Sequence, residues 1–120
     1  MPAIDALLQV GQVPMKTITS RDNPEYRKAK KLLRRKYREE MRLYLLEGIK
    51  PLKDALDRGA HIEKIFLREG GPGRDEIEGI QNDDLIVTPS DMFDELSDTE
   101  TTQGVIAQEE DGSLRKMNFS

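Results

Sequence analysis

The sequence predicts an α/β layered domain with a mostly parallel or mixed sheet. Four short apolar segments rich in Leu, Ile, Val and Phe, at 43–46, 62–67, 85–87 and 105–107, read as strands. Stretches with helical periodicity separate most of them, and that alternation is the pattern of layered α/β folds. The length of 120 residues suits one domain around one core, because domains most often run about 100–150 residues.

Taken in order, residues 1–15 read as a flexible extension. Ile4, Leu7 and Leu8 share a helical face, but the segment lacks a basic start and Asp5 interrupts its apolar stretch, so it is no signal peptide. The domain begins near Lys16. Asn23-Pro24-Glu25 is a helix start: Asn caps, Pro fits the first turn, and Glu complements the positive end of the helix dipole. Tyr26, Ala29, Leu33 and Tyr37 then recur at spacings of three, four and four, which predicts one helix with a narrow apolar seam. Strand 43–46 ends at Glu47-Gly48. A helix follows through Leu52, Ala55 and Leu56, with Pro51 early and Gly59 as its stop. Strand 62–67 leads to a Gly/Pro loop at 70–73, a short helix at 75–80, and strand 85–87. Thr88-Pro89-Ser90-Asp91 predicts a capping box with Pro at the first helical position, opening a helix that buries Met92, Phe93 and Leu96. A polar loop at 97–103 passes through Gly104 into strand 105–107. Residues 111–120 are polar and lack an apolar period, as a linker would.

Charge is distributed unevenly along this frame. Between Arg21 and Arg42 stand ten of the nineteen basic residues against four acids, a local balance of +6 in a chain whose overall balance is −4. The rest of the chain therefore carries −10. One part is suited to a polyanion and the remainder would avoid one. On a single helix, Arg27, Lys31, Arg34, Arg35 and Arg38 fall together on a flank of the apolar seam, with Arg21 and Arg42 as outlying support. Most are Arg, whose planar fork holds phosphate bidentately. Tyr26, Tyr37 and Tyr44 are candidates to stack on unpaired bases, although the seam positions of Tyr26 and Tyr37 favour the core.

Other chemistries find no support. The absence of Cys and a single His, His61, exclude a disulfide framework and a structural zinc site. Apolar runs of a few residues fall far short of the roughly 20 that span a membrane, and the reading is cytoplasmic. The 70–73 loop has no Lys-Ser/Thr after it, so it is not a phosphate loop of the Walker type. The acid pairs at 39–40, 83–84 and 109–110 have no base or metal ligand beside them in sequence and read as solvated surface. No nucleophile–base constellation can be assembled. The polar loop offers Ser97, Asp98, Thr99, Thr101 and Gln103 as possible ligand contacts, beside its plainer role as a connection ended by a glycine.

The order of the blocks "ITSRDNP", "YLLEG" and "LSDTETTQG" resembles the N-terminal substrate-binding domain of the SpoU/TrmH family of RNA ribose 2′-O-methyltransferases, over residues 16–110. The resemblance implies a small three-layer α/β/α sandwich like those of ribosomal and kink-turn-binding proteins. It also implies docking of structured RNA, usually ribosomal, onto a knotted S-adenosylmethionine-binding catalytic domain that is commonly dimeric. Thr102 stands where the family usually has Pro, so the loop lacks the fixed φ of that residue. The family's catalytic motifs lie in the C-terminal domain, and none falls within these 120 residues. The chain alone is therefore expected to bind RNA without methylating it, and to need neither cofactor nor metal. Two other readings stay open: a module whose basic helix docks on an acidic protein or on its own catalytic domain, and a stand-alone kink-turn binder.

Overall fold

Ile65, Phe66 and Leu67 are consecutive strand residues, and each is at most 2% exposed. Successive strand side chains point to opposite faces, so a strand buried at every position must be covered on both. The computed structural model describes residues 16–71, 84–100 and 102–111. Within them, β1 (Lys16–Thr17), α1 (Pro24–Lys31), α2 (Arg35–Met41), β2 (Leu43–Glu47), α3 (Ile49–Asp57), β3 (Ile62–Arg68), β4 (Leu85–Thr88), α4 (Ser90–Leu96) and β5 (Val105–Glu110) follow in order. The extension at 1–15, the short helix expected at 75–80, Thr101 and residues 112–120 lie outside the described residues.

The five strands form one mixed sheet in the order β1-β4-β3-β5-β2. β1 and β3 run parallel to β4, whereas β5 runs antiparallel to both β3 and β2. Phe66, Ile86 and Ile106 face a layer built from Tyr26 and Ala29 of α1 and from Met92, Phe93 and Leu96 of α4. Ile65, Leu67, Leu85, Val105 and Ala107 face the other way, where α3 contributes Leu52, Ile49 and Leu56. The α/β/α sandwich is therefore present, with both faces of its central strand dry. All four expected strands are found.

Three local expectations are corrected. The sheet has a fifth strand, β1, whose two side chains are both exposed. It pairs with β4 through its backbone, so no apolar pattern announces it. The single basic helix is two helices: Leu32 and Leu33 turn, and Arg34 is extended at φ −105° and ψ 129°. Leu32 is buried at 1% exposure in place of the more exposed Leu33 and Tyr37, which shortens the apolar seam. A continuous helix would also stack like charges four residues apart, Lys30 on Arg34 and Lys31 on Arg35, and each such pair is unfavourable. The third correction is at 88–91. The capping box does not form, because α4 starts at Ser90 with Pro89 at the cap and no side-chain cap bond. Thr88 is instead the last residue of β4, and its hydroxyl donates to the Ile86 carbonyl at 3.2 Å. Asn23 does cap α1, its side chain accepting from the Glu25 and Tyr26 N–H groups at 2.9 and 3.1 Å.

Candidate nucleic-acid interface

The basic segment divides into cations that hold the fold together and cations that face solvent without an acid. The first group centres on Glu95 of α4. Arg21 Nε donates to Glu95 Oε2 at 2.9 Å and Arg21 Nη2 to Asp91 at 3.1 Å. Lys30 Nζ reaches Glu95 Oε1 at 2.6 Å. Beneath them the buried Tyr26 hydroxyl donates to the Met92 carbonyl at 2.7 Å, and burial pushes that phenol up to about 12. Lys28 lies 3.5 Å from Glu63, Arg35 3.0 Å from Glu39, and Arg42 3.6 Å from Asp111. The contacts on Glu95 and Asp91 tie α1 and the residues before it to α4, and all of these pairs reduce the charge left for a partner.

Glu95 carries a measurable signature of this role. Hydrogen bonds from Arg21 and then Lys30 hold its carboxyl at about 2, below the usual 4.5. Asp94 is lowered likewise by its bond with Arg68. A carboxyl whose folded value is depressed stabilises the fold above its unfolded value, and that contribution disappears as pH falls through the folded one. Between pH 4.5 and 2 the melting temperature of the wild type is thus expected to fall more steeply than that of Glu95→Gln. Parallel curves in a pH series of thermal melts would contradict this.

The second group sits where α1 meets α2. Among the described residues, no carboxylate pairs with Arg27, Lys31, Arg34 or Lys36. Lys31 Nζ, the Arg34 guanidinium and Lys36 Nζ stand 5.6, 5.7 and 5.6 Å from the centre of the Tyr37 ring. Cation–π contacts at exposed sites are worth about 0.5–1 kcal/mol, so they gather the cations without neutralising them. The break at 32–34 makes this possible. Leu32 O would accept from the Lys36 N–H in an unbroken helix; here it accepts from Arg38 Nη1 at 3.0 Å, which braces the corner. The common flank expected for Arg27, Lys31, Arg34, Arg35 and Arg38 is therefore replaced. Arg27 and Lys31 lie on α1, Arg34 lies between the helices, and Arg35 and Arg38 lie on α2.

The polar loop proves to be a clasp on the end of β2. Glu47 accepts from the Ser97 hydroxyl at 2.5 Å, the Thr99 hydroxyl at 3.3 Å and the Asp98 N–H at 3.2 Å. Gln103 Oε1 accepts from the Ile49 N–H at 2.9 Å, capping α3 from a distant loop. Gly48 at the α3 cap has φ +110°, which calls for glycine, and a Cβ there would stand 3.1 Å from Gln103 Oε1 and press on the group that caps α3. Thr102 replaces the rigidity of Pro with a bond of its own, accepting from the Gly104 N–H at 3.0 Å. The second and third sequence blocks thus lock onto each other. Sequence reasoning missed Glu47 and Glu95 as organising acids. A lone Glu ending a strand, or in a short helix, carries no mark of what it will meet.

Among the described residues no cluster of His, Asp and Glu could hold a metal, and no helix is long and apolar enough to cross a membrane. The family described as the MRM3-like substrate binding domain matches residues 23–107. A solved RNA 2′-O ribose methyltransferase is 28% identical, with a TM-score of 0.65 over 78% of this chain and 37% of its own. An rRNA methyltransferase from Sinorhizobium meliloti is 22% identical, with a TM-score of 0.66 over 82% of this chain and 38% of its own. The SpoU methyltransferase AviRb from Streptomyces viridochromogenes, solved with AdoMet, is 20% identical, with a TM-score of 0.64 over 74% of this chain and 36% of its own. The last two likenesses speak to fold alone. No curated protein matches the chain.

Proposed function

Since the chain belongs to the MRM3-like substrate binding domain family, we propose that it docks RNA, ribosomal RNA above all, for a ribose 2′-O-methyltransferase. Residues 16–110 are the docking unit. Residues 111–120 lead toward the catalytic domain, a knotted and commonly dimeric fold to which S-adenosylmethionine and methyl transfer belong. The residues of this chain bind and orient the substrate for that step. Its place of work is the cytoplasm.

One observation carries the reading: Lys31, Arg34 and Lys36 converge on Tyr37 with no acid among them. Such a cluster has lost little hydration and holds no counter-charge, so a phosphate that displaces its counterions gains the full electrostatic benefit. Arg27, one turn back from Lys31 on α1, extends the track. Arg38 stands next along α2, while Arg35 joins when its exposed pair with Glu39 opens and Arg42 adds to the field from its place beside the mostly buried Asp111 carboxylate. Arg21 acts indirectly, by fixing α1 against α4.

Titration of a single-stranded RNA oligonucleotide at several salt concentrations tests this. With about four phosphates neutralised, the log–log slope is expected near −3, since each contributes about −0.7 on a single strand. An affinity that does not change with salt would overturn the proposal.

A further inference from the structure

We infer that the cleft between α2 and the edge strand β2 seats one unpaired nucleotide of the RNA, its base stacked on Tyr44. This deepens the docking role proposed above and rests on it. Tyr44 is 43% exposed, the large apolar side chain left uncovered among the described residues. It lies in β2, an outermost strand of the sheet. The ring belongs to neither core cluster, and its exposed part stands available to a flat ligand.

Two clefts meet at this ring. One, of about 720 Å³, is lined by Arg35, Arg38, Arg42 and Tyr44, with Glu39 and Asp111 at its wall. The other, of about 410 Å³, is lined by Tyr44, Leu33 and Leu45 together with Asp98, Thr99 and again Arg38. They share Arg38 and Tyr44, so a ligand can occupy both at once. The first offers forked guanidiniums to phosphate and sugar. The second offers an aromatic face, apolar neighbours and the exposed Asp98 carboxylate for a base edge, while the Thr99 hydroxyl is held by Glu47 in the same wall. Apolar and stacking surface beside a few polar groups is the chemistry by which unpaired bases are held.

Of the two acids in the first cleft, Asp111 is mostly buried beside Arg42 and Glu39 is readily displaced. The Arg35–Glu39 pair is highly exposed, and i,i+4 surface pairs contribute about 0.3–0.5 kcal/mol, so a phosphate can displace Glu39. Arg38 needs no such exchange, because one of its nitrogens is fixed on the Leu32 carbonyl and its other donors remain for a ligand. A base inside a duplex could not reach the ring. The occupant is therefore a looped or single-stranded nucleotide.

A comparison at constant backbone charge tests the assignment. A mixed-sequence RNA hexamer and its fully abasic counterpart carry the same phosphates, and each is titrated against the 120-residue chain, Tyr44→Phe and Tyr44→Ala. The wild type and Tyr44→Phe are expected to prefer the base-bearing strand by about tenfold or more, since stacking on an aromatic ring is worth about 1–3 kcal/mol per base. Tyr44→Ala is expected to lose most of that preference while keeping its affinity for the abasic strand. If Tyr44→Ala keeps the wild-type preference, or the wild type shows none, the nucleotide seat is wrong and the docking role stands. If the wild type binds neither strand, both fall.

Discussion

Phe66→Ala is expected to remove most of the stability of this chain. Phe66 is fully buried in β3, which is bonded on one side to β4 and on the other to β5. Its ring meets the layer formed by α1 and α4, where Tyr26, Met92 and Phe93 close around it. Truncating a buried Phe costs about 3–5 kcal/mol, part of it lost transfer energy and part the cavity left behind. A domain of this size has only about 5–15 kcal/mol in all. Collapse into the cavity is opposed because the surrounding side chains come from two helices and three strands that are anchored independently. Leu33→Ala is the control: its side chain is partly exposed at the α1–α2 turn, and its loss is expected to cost no more than about 1 kcal/mol. Urea denaturation followed by circular dichroism measures both. A Phe66→Ala midpoint close to that of Leu33→Ala would mean that the sheet is not the two-faced core described above.

The contrast between these two leucine-and-aromatic positions shows what was legible in the sequence. Strands β3 to β5 were, because burial on both faces leaves an apolar run that little else produces, and β2 was through its apolar run at 43–46, although it lies at the sheet edge with Tyr44 exposed. α3 and the start of α1 were, because Asn23, Pro24 and Gly59 act through their own backbone preferences. The break between α1 and α2 was not. No Gly or Pro marks it, and the apolar spacing fits Leu33 as well as Leu32. Tertiary packing chose Leu32, and a guanidinium six residues away took up the carbonyl freed by the turn. β1 was illegible for the opposite reason: two exposed residues joined a sheet through backbone groups that every sequence possesses.

The candidate site was legible in composition and illegible in arrangement. Counting charges located the +6 segment but weighted its members equally. The structure distinguishes them by what stands opposite, and the opposing residues come from elsewhere in the chain. Arg21 and Lys30 meet Glu95, some seventy positions away, whereas Lys31, Arg34 and Lys36 gather on Tyr37 with no carboxylate partner among the described residues. The loop at 97–104 was ambiguous between ligand contact and support. Its hydroxyls at Ser97 and Thr99 are committed to Glu47, and Gln103 is committed to α3. The outward parts of Asp98 and Thr99 are what it still offers.

Replacing Lys31, Arg34 and Lys36 together by Gln is expected to weaken RNA binding about 100-fold at 0.1 M salt, because each lost phosphate contact removes about 0.7 from the log–log slope. The slope should flatten by about 2 for the same reason. Folding is expected to survive. All three lie at the surface of the corner, and what the fold loses is three exposed cation–π contacts of about 0.5–1 kcal/mol each. The informative partner is Arg21→Gln with Lys30→Gln, which removes two cations from the same +6 segment. Those charges are already neutralised by Glu95 and Asp91, so affinity should stay within about threefold while the melting temperature falls and its acid dependence shrinks. If net charge alone governed docking, two lost cations would weaken binding roughly two-thirds as much, on a logarithmic scale, as three. Affinities and melts of the two variants separate the cases directly. Equal loss of affinity per cation removed would show that the field of the whole segment holds the RNA, whereas loss confined to the triple variant places the contact at the cations gathered around Tyr37.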